Sequence, residues 1–91
     1  MKSRKFKIFL NPVAGRDLKR LKKSQPDIFL KVDKAIESLS QSPFRGKQLK
    51  GKLKKCFSLR IGNYRVIYTV YPSQQSLNIA RVGDRKEIYR F

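Results

Sequence analysis

The chain has no histidine and a single cysteine, Cys56, among its 91 residues. These scarcities remove most hydrolytic chemistry. Serine–histidine and cysteine–histidine catalysis need an imidazole base, and a conventional zinc site needs several histidines or cysteines. A lone cysteine forms no internal disulfide and suits a reducing cytoplasm, the expected location. Cys56 itself reads as a small hydrophobe at a strand start. Acids are also few: Asp17, Asp27, Asp33, Glu37, Asp84 and Glu87 are the only carboxylates. The first four fall on predicted helices, where capping and surface solvation account for them. No GxxxxGK[ST] phosphate loop is present. Neither is there an apolar run near 18 residues or a secretory signal, so no membrane partner is expected. No metal or cofactor is expected either.

Positive charge is what the chain has in excess. Lysine and arginine number 23 against 6 acids, a net charge of +17. Repulsion on that scale opposes the compact state, so a polyanionic or acidic partner is implied. Nucleic acid comes first, an acidic protein second. The length supports one domain spanning residues 1–91, with no room for a second core.

The segment RKFKIFL (residues 4–10) alternates in a way that predicts a first strand, central or partly covered because both faces are mixed. Asn11-Pro12 is a helix start, an N-cap followed by proline at the first helical position. That helix runs to about Lys23, with Val13, Ala14, Leu18 and Leu21 as its apolar line. Ser24 can cap a second helix beginning at Pro26-Asp27, whose Ile28, Val32, Ala35, Ile36 and Leu39 repeat at the helical period. Pro43 stops it. Residues 44–55 read as a basic connection holding Arg45, Lys47, Lys50, Lys52, Lys54 and Lys55 and no acid, with Leu49 and Leu53 pinning it to the core. Three strands follow: CFSLRI, YRVIYTVY and LNIARV. The expected fold is α+β: an N-terminal strand, a helical hairpin and a three-stranded antiparallel meander, with two helices on one face of a single sheet.

Gly62-Asn63 is a two-residue hairpin turn of the Gly-first type, and it fixes register. Arg60 then opposes Arg65, and Leu59 opposes Val66. Phe57, Leu59, Ile61, Tyr64, Val66, Tyr68 and Val70 share the core face, and Ser58, Arg60, Arg65, Ile67 and Thr69 share the other. Like charges directly opposed across a hairpin are destabilising, unless an anion bridges them. The register of the last strand is open, since Leu77 and Ile79 favour one parity and Val82 the other. In either case Arg85 leaves the sheet beside Arg60 and Arg65, and guanidinium forks match phosphate oxygens. Tyr64, Tyr89 and Phe91 are near enough to stack on unpaired bases, although Tyr64 points to the core face.

The segment LKGKLKKCFSLRIGNYRVIYTV, followed by ARVGDRKEIYRF, resembles the RelE side of the RelE/ParE toxin superfamily. The shared pattern is a basic loop, an LRxGxYRVIY hairpin, a VGxR strand end and a nearby tyrosine. The resemblance covers nearly the whole chain and implies a RelE-like domain. It also implies a ribosome-dependent, metal-independent endoribonuclease that cuts messenger RNA by attack of a 2′-hydroxyl on the scissile phosphate, restrained by a cognate antitoxin. By position, Arg65 and Arg85 match arginines that hold that phosphate, Tyr89 a tyrosine of cleavage or base stacking, and Arg60 a basic residue that assists proton transfer. The cations of the 44–55 loop, together with Arg81, fall to RNA binding. Ser58 departs from the pattern, since some members carry a second basic residue there. Two other functions fit the charge: a ParE-like inhibitor of DNA gyrase, and a non-enzymatic RNA- or ribosome-binding module.

Overall fold

The helices and the longer strands form where the sequence supplies both a period and a boundary. In the computed structural model, which describes residues 5–49, 55–84 and 86, strand β1 spans Lys7–Leu10 and helix α1 spans Pro12–Ser24. The Asn11 side chain accepts a hydrogen bond from Val13 N at 2.8 Å, with Pro12 opening the helix. Helix α2 spans Pro26–Ser38. Its N-cap is Gln25 and not Ser24, whose hydroxyl turns back to donate to Arg20 O in the last turn of α1. The hairpin is therefore tighter than the sequence suggested, one residue separating the helices. Lys22 lies over the Phe29 ring, 5.7 Å from its centroid, and ties the two together.

The remaining strands are β2 (Lys47–Gln48), β3 (Cys56–Ile61), β4 (Tyr64–Tyr71) and β5 (Ser76–Asp84), with a 3₁₀ turn at Pro72–Gln74. The sheet is mixed, in the order β1-β5-β4-β3-β2. β1 runs parallel to β5, and the other pairings are antiparallel. Two expectations are corrected here. Among the described strands β1 is an edge strand that pairs with β5 alone, which is why Lys7, Phe9 and Leu10 are exposed and only Ile8 is half-buried. The basic connection also contains a strand: Lys47 and Gln48 pair with Ser58 and Phe57. Two polar residues carry no hydrophobic period, so periodicity could not find it.

The core lies between the helices and one sheet face. Ala14, Leu18 and Leu21 of α1, with Val32, Ile36 and Leu39, meet Leu59, Val66, Tyr68, Leu77, Ile79 and Val82. Val13 is exposed, outside the apolar line assigned to it. Half-buried Leu49 lies off this core, on the opposite sheet face beside Ser58. The parity conflict in the last strand has a structural answer. Ile67 pairs with Arg81 and Tyr68 with Ile79, so Ala80 is an extra residue, a β-bulge. The bulge flips parity once, and Leu77, Ile79 and Val82 all reach the core.

Tyr68 links this core to the basic segment. It is fully buried, stacks on Phe57, and its hydroxyl accepts from Gly46 N at 2.9 Å. A Cβ at position 46 would stand 2.7 Å from that oxygen, so the approach needs glycine. Burial pushes the Tyr68 phenol up from 10.0, partly offset by the Gly46 hydrogen bond and the Arg45 charge. The unfolded chain therefore loses this proton first as pH rises, and the stability the group supplies is present below pH 10 and declines above it. Tyr68→Phe should lower stability by about 1–2 kcal/mol, because Gly46 N loses its acceptor. Thermal melts should show that loss at neutral pH and a flatter decline above pH 10 than in the wild type.

Candidate nucleic-acid interface

The turn between β3 and β4 sets the geometry of the interface. Gly62 adopts φ +59°, in the left-handed region that glycine accepts without strain. The two-residue loop pairs Ile61 with Tyr64, Arg60 with Arg65 and Leu59 with Val66, as the sequence predicts. Leu59 and Val66 are buried beneath the helices. Arg60 and Arg65, one residue nearer the turn on each strand, emerge together on the opposite face, which β5 extends with Gly83 beside Arg65.

These arginines share a groove of about 300 Å³ with Lys47, Leu49 and Ser58. Among the described residues no carboxylate lines it. The β2 pairing places Lys47 across from Ser58, adding a third cation. Arg65 is half-buried, its Nη1 lying 3.3 Å from Tyr64 O and 3.5 Å from Gly62 O, so its guanidinium folds back over the turn. Arg60 is exposed and has no ion-pair partner among the described residues. Two guanidinium groups, an ammonium and a hydroxyl around one concavity suit a phosphodiester.

A family model described as the ParE toxin of type II toxin–antitoxin systems matches residues 8–89. Toxin RelG of Mycobacterium tuberculosis is 36% identical over 87 residues, covering 93% of this chain and 97% of RelG. The chain belongs to the RelE/ParE toxin superfamily. Among solved structures, the toxin–antitoxin complex RelBE2 of M. tuberculosis superposes with a TM-score of 0.79 at 32% identity, over 94% of this chain and 98% of that one. A YoeB/ParE toxin from Agrobacterium tumefaciens shares the fold, with a TM-score of 0.78 at 21% identity, over 88% and 99% of the two chains.

Within the toxin, the expected cations separate into groups. Arg60, Arg65 and Lys47 come together. Arg45 is drawn toward α2, its Nη1 donating to Ser38 Oγ at 2.6 Å. Lys55 precedes β3 at the end away from Arg60. Arg81 is engaged elsewhere: its Nε donates to Asp17 Oδ2 at 3.0 Å in an ion pair. Lys50, Lys52, Lys54, Arg85 and Tyr89 lie outside the described residues. β5 nevertheless ends at Asp84, opposite Tyr64, so Arg85 follows directly from the strand end nearest the arginine pair. Tyr64 packs on the helix side, and its hydroxyl accepts from Gln25 Nε2 at 2.8 Å.

Asp17 is the residue that sequence reading misplaced. Read as a solvated helix acid, it is 7% exposed. Its Oδ2 also accepts from Val82 N at 3.0 Å. β1 pairs only as far as Ile79, so this carboxylate occupies the edge of β5 that β1 leaves open. The signal was present: Asp17 falls on the Ala14–Leu18–Leu21 stripe.

Two outcomes follow. Asp17→Ala should destabilise the toxin by roughly 2–3 kcal/mol in thermal melts, since a charge-assisted bond is lost and a buried N–H is left unpaired. Arg60→Gln should act in the other direction, stabilising the free protein by about 0.2–1 kcal/mol. That gain should shrink in 1 M salt, where screening acts within about 3 Å.

Proposed function

We propose that this toxin is an endoribonuclease that cleaves messenger RNA on the ribosome. The observation that supports the reading best is the opposed pair Arg60–Arg65, joined by Lys47 in a groove that no acid lines among the described residues. Such a pair is costly in the free protein and favourable around a phosphate. RelG and the RelBE2 complex, both of M. tuberculosis, carry Rel names, which favours messenger RNA over DNA gyrase as the target.

In the proposed reaction the 2′-oxygen of one nucleotide attacks the adjacent phosphorus. The bond from phosphorus to the 5′-oxygen breaks, leaving a 2′,3′-cyclic phosphate and a free 5′-hydroxyl. The 2′-hydroxyl gives up its proton, and the departing 5′-oxygen takes one. Arg60 and Arg65 balance the negative charge that gathers on the phosphoryl oxygens, a contribution that grows in a preorganised site. Arg85 joins them and Tyr89 stacks on a base or assists cleavage, both assigned by the family resemblance. The described groove side chains are cations, a leucine and a hydroxyl, a set whose charge supports stabilisation of the phosphoryl oxygens, with Arg60 assigned by the family resemblance to assist proton transfer.

The same corner suits an inhibitor. Complexes such as RelBE2 support a cognate antitoxin as partner. An acidic segment of it laid over Arg60 and Arg65 would block RNA and relieve self-repulsion of the +17 chain.

Arg65→Ala and Arg85→Ala should each slow cleavage by about a hundred- to a thousand-fold, the usual cost of one charge-stabilising donor. Both variants should abolish growth arrest while remaining folded by circular dichroism. Wild-type cleavage of ribosome-bound message by both variants would refute the reading. Loss of DNA supercoiling on induction, with messages intact, would favour gyrase instead.

A further inference from the structure

The groove holding Arg60 and Arg65 is not the only cationic concavity that Arg60 lines. On the helix side of β3 a second groove, of about 380 Å³, is lined by Lys31, Lys34, Ala35, Arg45, Arg60 and Ile61. Arg60 belongs to both. The sheet topology explains how one side chain serves two faces. β2 pairs with β3 at Phe57 and Ser58, so among the described residues no strand lies beside the outer edge of β3 from Leu59 to Ile61. The long, exposed side chain of Arg60 spans that open edge.

We propose that this second groove is a phosphate-binding extension of the RNA path. In it, a strand whose scissile phosphate sits at Arg60–Arg65 continues over the β3 edge and across α2. The proposal rests on the endoribonuclease reading and extends it to Lys31 and Lys34, two exposed residues of α2. Lys31 and Lys34 stand three residues apart on α2, a spacing that puts both on one face. Arg45 is preset toward the same place by its bond to Ser38 Oγ. Ala35 is small, so the floor it makes with Ile61 stays low between the cations. The α2 acids Asp27, Asp33 and Glu37 do not line the groove, and neither lysine has an ion-pair partner among the described residues.

Four cations above a floor of one alanine and one isoleucine favour a polyphosphate strand over a protein segment. A docked peptide draws its affinity from large apolar or aromatic anchors in desolvated pockets, and this floor offers none. A single strand of RNA is held by cations that track its backbone, with loss of affinity as salt rises.

The test uses the full-length toxin and 2′-O-methyl RNA, which cannot be cleaved, in lengths of about 4 and about 12 nucleotides, spanning the range of single-strand site sizes. The Lys31→Gln/Lys34→Gln double variant changes two exposed helix positions and should stay folded. It is expected to weaken binding of the longer RNA about tenfold and to lower its log–log salt slope by about 1.4, the value for two lost single-strand contacts. Binding of the shorter RNA should not change. Arg65→Ala should weaken both. If the double variant binds the longer RNA like wild type while Arg65→Ala weakens both lengths, the extension is wrong and the endoribonuclease reading stands. Equal weakening of both lengths by the double variant would reduce the groove to a diffuse charge effect and overturn the extension. Unchanged RNA binding with weakened antitoxin binding would make it a protein site and also overturn it. Arg65→Ala binding both RNAs like wild type would remove the reading on which the extension rests.

Discussion

Burying Leu59 and Val66 on one face of a two-residue hairpin obliges Arg60 and Arg65 to meet on the other. Side chains alternate strictly along a strand, so a one-residue slip of either strand would carry its arginine to the core face and its apolar neighbour into water. Gly62 prevents the slip by supplying the positive φ that the tight turn requires. The repulsive pair is thus held in place by the hydrophobic effect acting on its neighbours. Burial of a Leu or Val side chain contributes about 1.5–3 kcal/mol, against about 0.2–1 kcal/mol lost to an opposed like-charge pair. The core wins, and the concentrated charge follows from it.

The rest of the fold delivers other groups to this corner. The bulge at Ala80 lets β5 keep Leu77, Ile79 and Val82 in one core while its end arrives beside Arg65. Asp17 closes the stretch of β5 that β1 leaves open and engages Arg81. At the far side of the sheet, Phe44 packs edge-on against Phe57, Phe57 stacks on Tyr68, and Gly46 binds the Tyr68 hydroxyl. That stack anchors the start of the basic segment and so sets Lys47 opposite Ser58. Core packing and cation placement are therefore coupled at several points.

Much of this was legible in the sequence because it is local. The helix start at Asn11-Pro12, the α2 stripe and the β3–β4 register each follow from residues a few positions apart. The two-layer α+β plan follows from their order. What stayed hidden is long-range. Nothing near Asp17 in sequence announces that Val82 N and Arg81 will meet it. The edge position of β1 depends on β5, whose partners are fixed only once the bulge absorbs its parity conflict. Only the fold sets Lys31 and Lys34 of α2 beside Arg45 and Arg60. Arg60 and Arg65 were legible for the opposite reason: a two-residue turn makes a cross-strand contact a local one.

The central claim is that the arginine pair is unfavourable alone and favourable around RNA phosphate. A double-mutant cycle on Arg60 and Arg65, measured both for unfolding of the free toxin and for binding of uncleavable single-stranded RNA, tests it most directly. The account predicts couplings of opposite sign: the two arginines destabilise each other in the free protein and cooperate in binding RNA. Additive effects on RNA binding, or a pair that is mutually stabilising in the free protein, would contradict it.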